Sequence, residues 1–309
     1  MKKFQKIVLA GGTGQIGTAL CKFYAERAEK IIILSRSDNR QKRNLYYVKW
    51  DAKTLGPWAK ELDNADMLVN LCGKNVNCRY TEKNKKEIFD SRTDSTRVLA
   101  AAIASCVHPP KLWMQSASAT IYRHSDDRSM TEKDGVIGTG FSVEVCKKWE
   151  SVFLEETHSF PTMRKVILRT SLVLGKEEGV FPRLRNLVRL GLGGKQGNGE
   201  QWVSWIHETD VARMIDWIAT HNDIEGVINC TAPIPLKNKD FMNIIRKGFH
   251  MQIGIQSPAW LLELGAFFIR TETELILKSR WVMPRRIERT GFQFQFPDAT
   301  TAIDNLIRS

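Results

Sequence analysis

Short apolar runs alternate with segments of helical periodicity along the first half of the chain. The runs are rich in β-branched residues and are bounded by polar positions, which is typical of buried strands. Strands are predicted at 6–10, 31–34, 46–49, 67–71 and 111–116, and helices at 14–28 and 93–104. Strands that alternate with helices in this way usually pair in parallel. The pattern therefore predicts an α/β fold, a doubly wound parallel sheet of Rossmann type.

The same pattern continues beyond the middle of the chain. Strands are predicted at 165–169 and 226–229, with a helix at 142–156. Segment 191–199 is too rich in glycine for a helix or a central strand, and we expect it to form a loop over a ligand cleft. From about residue 236 the pattern is helical, apart from the alternating 291–297, which predicts one short strand.

This pattern of strands and helices predicts two lobes. We expect a sheet domain at 1–235, with 176–204 contributing a loop over the cleft. The remaining 236–309 would form a small, mainly helical C-terminal lobe on the substrate side. The aromatic side chains Trp260, Phe267 and Phe268 are predicted to belong to the core of this lobe.

Composition narrows the class of protein. The chain has 309 residues, 42% of them hydrophobic, and a net charge of +12. Its basic residues are scattered, and the denser patches around Arg185 and Arg285 suit a phosphorylated ligand, so a nucleic-acid partner is not expected. The best apolar stretch, 259–269, is too short for a membrane span. The first strand begins so near Met1 that no signal peptide is expected.

The six cysteines form no CxxC pair, so no metal site is expected. Cys72, at the end of an apolar run, is interpreted as a small buried residue. A cytoplasmic location is predicted. Oligomeric state does not follow from the residues.

A glycine-rich turn carries the strongest chemical signal. Gly11, Gly14 and Gly17 follow one predicted strand directly and open a helix. Glycine lets the backbone approach a pyrophosphate closely, and the free N–H groups at a helix start face the anion. Thr13, Gln15 and Ile16 lie between these glycines, so the whole turn is predicted to bind a dinucleotide.

The end of the second strand selects between the two nicotinamide cofactors. An acidic residue there would bind the ribose 2′-hydroxyl, whereas a basic residue would accept a 2′-phosphate. Ser35 and Arg36 stand at this position and favour NADP(H). Arg36 as a merely solvated charge is the alternative, and Asp38, two residues later, leaves NAD(H) open.

Several motifs together resemble the extended short-chain dehydrogenase/reductase superfamily, and more specifically its atypical YfcH-like "epimerase family" branch. The resemblance covers almost the whole chain. It rests on the spacing of the three glycines, on the segments 70–73 and 116–122, and on the pairs Lys86-Glu87 and Ser91-Arg92. It rests further on 168–170, Leu174-Gly175, 205–207, 283–286 and Gly291-Phe292.

The resemblance implies a set of cofactor-binding residues. Ser35 and Arg36 would hold the phosphate side of NADP, and Leu71, Cys72 and Gly73 would pass their backbone beside the cofactor. It further implies that the pocket is completed by Glu87, Arg92 and Val173. Judged from the residues alone, Arg92 could neutralise pyrophosphate charge, Glu87 could orient Arg92 or bond a ribose, and an ordinary surface pair is the alternative.

The catalytic pair of the superfamily is missing. Active members use a tyrosine as general acid/base and a lysine four residues later, which lowers the tyrosine pKa and bonds the nicotinamide ribose. These two positions fall here on Ser142 and Cys146. A serine hydroxyl is too weak an acid to donate a proton unaided, and cysteine supplies no fixed positive charge.

Other residues could contribute to catalysis. Ser118 occupies the place of the superfamily's substrate-binding hydroxyl, and Tyr122 is a candidate acid, with packing or substrate stacking as its alternative. His207 is interpreted as structural, at the start of a helix capped by Thr209 or Asp210, although contact with the substrate stays open.

Three functions fit these residues. The leading hypothesis is an NADP(H)-binding oxidoreductase or epimerase-like protein that transfers a hydride to or from an unidentified small substrate. The second is a non-catalytic NADP(H)-dependent sensor or regulator that has lost turnover. The third is an ordinary nucleotide-sugar epimerase or dehydratase, which the missing pair disfavours.

Overall fold

The computed structural model of the protein describes residues 4–256 and 278–308. The apolar stretch at 259–269 and the predicted core residues Trp260, Phe267 and Phe268 lie outside the described residues. No helix within the described part is long and apolar enough to cross a membrane.

Twelve strands and eight α-helices are present in the described residues. The strands are β1 (Phe4–Ala10), β2 (Ala28–Ser35), β3 (Arg40–Lys42), β4 (Leu45–Lys49), β5 (Met67–Asn70), β6 (Leu112–Ser118), β7 (Arg164–Thr170), β8 (Leu172–Leu174), β9 (Trp202–Val203), β10 (Trp205–His207), β11 (Gly226–Cys230) and β12 (Leu236–Lys237). The α-helices are α1 (Gln15–Tyr24), α2 (Glu82–Ala104), α3 (Phe141–Thr157), α4 (Phe181–Arg189), α5 (Glu208–Thr220), α6 (Asn238–Gly248), α7 (Arg285–Arg289) and α8 (Ala299–Arg308).

Eight of these strands form one sheet in the order β11-β7-β6-β5-β1-β2-β4-β3. All neighbours pair in parallel except β3, which returns antiparallel along β4. The chain progresses outward from β1 in both directions, so the topological switch point lies between β1 and β5. Ligands of doubly wound sheets bind at this point, outside the carboxyl ends of the strands. The predicted α/β class with a Rossmann-type sheet is confirmed.

The two faces of the sheet are covered by different helices. Successive strand residues point to opposite faces. Ile7 and Leu9 of β1 accordingly belong to one core, which α1 and α5 close, and Val8 and Ala10 belong to a second, which α2 and α3 close. The continuous apolar runs of the central strands follow from this burial on both faces.

A third apolar core lies outside the sheet. It is built from residues of two chain regions, Phe181 and Trp205 from the middle and Phe241, Ile245 and Ile303 from the C-terminal part. The predicted boundary near residue 236 stays a prediction.

Three element predictions differ from the structure. The helix predicted at 14–28 ends at Tyr24, and Ala28 already begins β2. Segment 291–297 is not a strand, because the carboxylate of Asp210 accepts the N–H groups of Gln295 and Phe296, both at 2.8 Å, and no strand pairs there. The helix predicted from residue 93 begins eleven residues earlier, at Glu82, where the Thr81 hydroxyl accepts the N–H of Asn84.

Candidate functional site

The glycine-rich turn lies at the switch point, between the ends of β1 and β5. Gly11 has a φ of +71°, and a Cβ at this position would lie 2.9 Å from Cys72 Sγ. Only glycine fits both the left-handed conformation and the close approach. The turn is thereby held directly against the segment that follows β5.

The other two glycines differ in what surrounds them. A Cβ at Gly17 would lie 2.3 Å from the carbonyl oxygen of Gly12, so helix α1 packs tightly on the turn. Nothing lies within 4 Å of a Cβ at Gly14, the exposed residue that caps α1. The first turn of α1 holds no acidic residue, so no carboxylate within that turn competes for its free N–H groups. This opening can accept a pyrophosphate.

The end of β2 presents a cation beside this turn. Ser35 is buried, and its hydroxyl lies 2.7 Å from that of Ser37. Arg36 is exposed, and no described residue forms an ion pair with it. Asp38 is paired with Lys49 at 2.8 Å on the surface. Arg36 is therefore available to an incoming anion, whereas Asp38 already has a counterion.

The segment after β5 is fixed by polar contacts. Asn70 is fully buried, and its Oδ1 accepts the N–H of Cys72 at 3.1 Å. Burial raises the pKa of the Cys72 thiol to about 12, so it stays protonated at neutral pH. The N–H of Leu71 donates to the carbonyl of Ala10 at 2.8 Å. The backbone of 71–73 therefore lies against the glycine-rich turn, and its contact with a cofactor stays a prediction.

Gln15 and Val173 come together on the other side of the turn. The Gln15 side-chain amide donates to the Val173 carbonyl at 3.3 Å. Gly175 and Gly179 approach the same amide so closely that a Cβ at either would lie 2.4 Å from it. The chain after β8 thus covers the start of α1.

Glu87 and Arg92, expected to share the cofactor pocket, are not paired with each other. The Glu87 carboxylate forms a partly exposed ion pair with Lys74. Arg92 is only 9% exposed and packs between Gly73 and Trp149, with its guanidinium 4.9 Å from the indole ring. The suggestion that Glu87 orients Arg92 was wrong, because the Glu87 carboxylate is paired with Lys74.

A cavity of about 100 Å³ opens close to Gly73, between the end of β6, helix α2 and the start of α3. Ser118 lies in its wall, at the end of β6, and its hydroxyl accepts the N–H of Thr120 at 3.2 Å. The described residues that line it are Val76, Tyr80, Ile88, Arg92, Ser118, Thr120, Phe141, Ser142, Val145, Cys146 and Trp149. Its walls are mostly apolar, and Arg92 is the one charged side chain among them.

Ser142 and Cys146 lie on α3 and both line this cavity, where the superfamily carries its tyrosine and lysine. Burial raises the pKa of the Cys146 thiol to about 12. Cys146 is therefore a neutral thiol, which supplies no charge to the cavity.

Tyr122 occupies a different environment. It is 1% exposed, its hydroxyl donates to Asn229 Oδ1 at 2.8 Å, and it accepts from Arg169 Nη1 at 3.0 Å. Arg169 is in turn paired with Glu150 at 2.7 Å. Tyr122 belongs to a buried polar network and not to the described cavity wall. Its expected role as the acid is therefore not supported.

His207 also lies outside the described cavity wall. Its Nδ1 accepts the N–H of Thr209 at 3.1 Å, so His207 itself caps α5, and the prediction of Thr209 or Asp210 as the cap was wrong. Its ring packs against that of Phe296, with 4.1 Å between centroids, and burial lowers its pKa to about 4. The interpretation of His207 as structural agrees with this packing.

The sequence did not reveal the aromatic residues of the cavity, Tyr80, Phe141 and Trp149. Tyr80 lies in the polar loop ahead of α2, where no periodicity singles it out. The signal that could have found it is its position shortly after a strand end at the switch point.

The fold and the turn together define a Rossmann-type dinucleotide-binding protein of short-chain dehydrogenase/reductase type. The model of the NAD dependent epimerase/dehydratase family matches residues 7–231, and a domain of unknown function, DUF1731, matches 257–306. The chain belongs to the NAD dependent epimerase/dehydratase family. The resemblance predicted from the sequence motifs is confirmed.

Individual relatives match over nearly the full length. Epimerase family protein YfhF of Bacillus subtilis is 31% identical and aligns over 97% of both chains. The crystal structure of human epimerase family protein SDR39U1 with NADPH has a TM-score of 0.86 and 29% identity, covering 98% of this chain and 99% of that one. A nucleoside-diphosphate sugar epimerase from Corynebacterium glutamicum has a TM-score of 0.77 and 26% identity, covering 99% and 58%.

Proposed function

We propose that this protein binds NADP(H) across the glycine-rich turn and acts as an oxidoreductase or epimerase on a small substrate. The observation that carries the proposal is the open space at Gly14, flanked by two glycines that tolerate no side chain. A backbone cradle with free helix N–H groups suits a pyrophosphate. The similar human protein crystallised with NADPH supports the same assignment.

NADP(H) is favoured over NAD(H) by the charges at the end of β2. Arg36 can form a charge-assisted hydrogen bond with a 2′-phosphate, which is worth about 1.5–3 kcal/mol. Asp38, the residue that could hold a 2′-hydroxyl, is engaged by Lys49. Ser35, Arg36 and the backbone of 71–73 would hold the adenosine side and the middle of the cofactor.

The cavity beside Gly73 would hold the substrate. Bound NADP(H) would supply or accept a hydride at the mouth of this cavity. Ser118 would bond a substrate oxygen, and Arg92, which touches Gly73 and lines the cavity, would lie where cofactor and substrate meet. The apolar walls would exclude water from the reacting groups. The cytoplasmic location stays a prediction.

A second function is favoured by the residues on α3. Ser142 and Cys146 replace the tyrosine and lysine of the superfamily, and a protein without these groups could bind NADP(H) as a sensor without turning it over.

Two measurements on purified protein separate the candidates. We expect NADPH fluorescence to change on binding and NADPH absorbance to fall with at least one member of a panel of aldehydes and ketones. Binding without oxidation by any carbonyl compound would support the sensor. Failure to bind either dinucleotide would contradict both functions.

A further inference from the structure

A tyrosine side chain that does not belong to α3 lines the cavity of the proposed reductase. Tyr80 lies on the loop ahead of α2, and its hydroxyl is 3.4 Å from the hydroxyl of Ser142, the residue at the superfamily's tyrosine position. The Tyr80 ring packs on that of Phe141, with 4.6 Å between centroids. Tyr80 is half-buried, so its hydroxyl lies in the cavity wall while the residue keeps contact with solvent.

A cation lines the same cavity as this phenol. The guanidinium of Arg92 donates to the carbonyls of Ile88 and Lys74, at 2.9 and 3.2 Å, which hold it in place. No carboxylate in 4–256 or 278–308 pairs with Arg92. Burial lowers the Arg92 pKa, and electrostatic interaction with Cys146 and Tyr80 opposes that shift. The positive charge therefore acts on both the phenol and the position that carries lysine in the superfamily.

Other candidates for proton donation in the cavity are weaker. Among the described lining residues, Cys146 holds its proton too tightly at neutral pH, and Ser118, Thr120 and Ser142 are aliphatic hydroxyls of very low acidity. A phenol next to a fixed cation is the combination that the superfamily uses.

We propose that Tyr80 is the general acid of this site, with Arg92 in place of the missing lysine and Ser142 as a hydrogen-bonding partner of the phenol. This proposal rests on the proposed function. The pair that is absent from α3 is thus replaced by residues of α2 and its preceding loop.

The reaction balances with these groups. In the direction of reduction, the substrate carbonyl carbon accepts a hydride from NADPH while its oxygen accepts the phenolic proton of Tyr80, so C=O becomes CH–OH. The resulting phenolate is stabilised by the Arg92 charge and by a hydrogen bond from Ser142. Tyr80 then regains its proton from solvent.

The first test requires no turnover. The ionisation of Tyr80 is isolated by subtracting the ultraviolet pH titration of Tyr80→Phe from that of the wild type, and the same subtraction is made in an Arg92→Gln background. We expect the Tyr80 transition to move upward by about one pH unit in Arg92→Gln, because the phenolate loses its counter-charge. Arg92→Lys should keep it near the wild-type position. An unchanged transition in Arg92→Gln would overturn the pairing.

The second test measures the reaction with para-nitrobenzaldehyde and a panel of related carbonyl compounds. Tyr80→Phe keeps the ring that packs on Phe141, so it should fold and bind NADPH as the wild type does while kcat falls by about 100-fold or more. The matched control is Tyr46→Phe, on β4 and outside the cavity, which should leave kcat unchanged. Full activity in Tyr80→Phe would overturn the assignment.

The two proposals fail in different ways. Wild-type protein that does not bind NADPH contradicts the proposed function, whereas the titration still decides whether Arg92 acts on Tyr80. Activity that survives in Tyr80→Phe refutes only the assignment of Tyr80. Wild-type protein that binds NADPH but reduces no carbonyl compound counts against the reaction itself, and with it against an acid role for Tyr80.

Discussion

Gly17 lies so close to Gly12 that a Cβ at Gly17 would approach the Gly12 carbonyl oxygen to 2.3 Å. This approach presses the first turn of α1 onto the end of β1. Nothing lies within 4 Å of a Cβ at Gly14, the residue that caps the same helix. Packing therefore requires glycine at position 17, whereas position 14 borders open space.

The two glycines give a matched pair of variants. Gly17→Ala should lower the free energy of unfolding by about 3 kcal/mol, because backbone atoms of Gly12 must move to admit the methyl group. Gly14→Ala should fold with nearly wild-type stability, since its methyl group meets only open space, yet it should weaken NADPH binding. Urea denaturation and NADPH titration of both variants check this. Equal stability of the two variants would contradict the packing, and wild-type NADPH affinity in Gly14→Ala would contradict the cradle.

Arg36 is predicted to select the cofactor. Replacing Arg36 with alanine should weaken NADPH binding by about tenfold to a hundredfold and leave NADH binding nearly unchanged, because only NADPH carries the 2′-phosphate. Titration of both dinucleotides measures the effect. The control is Arg40→Ala, at an exposed arginine of the edge strand β3 whose guanidinium packs on the Tyr47 ring, and it should change neither affinity. Equal losses for both dinucleotides in Arg36→Ala would refute the assignment.

Tyr122 is predicted to act in stability and not in chemistry. Tyr122→Phe removes the hydroxyl that joins Asn229 to Arg169 and leaves two buried polar groups without this partner. We expect a loss of about 2 kcal/mol in the free energy of unfolding, seen by urea denaturation, with NADPH affinity unchanged. A large fall in turnover without loss of stability would contradict this structural role and support Tyr122 as the acid.

His207 should make stability depend on pH. Its pKa is about 4 in the folded protein, against about 6.5 for an unperturbed histidine, because burial disfavours the charged ring. Between these values the unfolded chain binds more protons than the folded chain. His207 therefore leaves the free energy of unfolding undiminished above pH 6.5 and lowers it as the pH falls towards 4. The full difference between the two pKa values corresponds to a loss of about 3 kcal/mol in the free energy of unfolding.

The matched variant is His207→Asn, which keeps a side chain able to cap α5 but does not titrate. Unfolding measured from pH 7 to pH 4 should show a smaller loss of stability in His207→Asn than in the wild type. Identical pH profiles for wild type and His207→Asn would show that burial does not shift the histidine.

The sheet and the cradle were predictable from sequence because both are local signals. A buried parallel strand appears as a continuous apolar run, and the three glycines follow one such run directly. The strand predicted at 291–297 was wrong for a non-local reason, since the carboxylate of Asp210, some 85 positions earlier, takes its N–H groups. No pattern within the segment itself reveals that partner.

The chemistry of the cavity was harder to predict for the same reason. Tyr122 is close in sequence to Ser118, yet its hydroxyl turns to Asn229 in a buried network. Tyr80 is 62 positions from Ser142, yet the two hydroxyls are 3.4 Å apart. The fold brings these groups together through the parallel sheet, and their spacing along the chain does not predict these contacts.

The measurement that tests the central claim most directly is a calorimetric titration of the purified protein with NADPH and with NADH. Saturable binding of one NADPH per chain is predicted, with NADPH preferred by about tenfold to a hundredfold because of the Arg36 charge. Absence of binding by both dinucleotides would contradict the cradle at Gly14 and every function built on it.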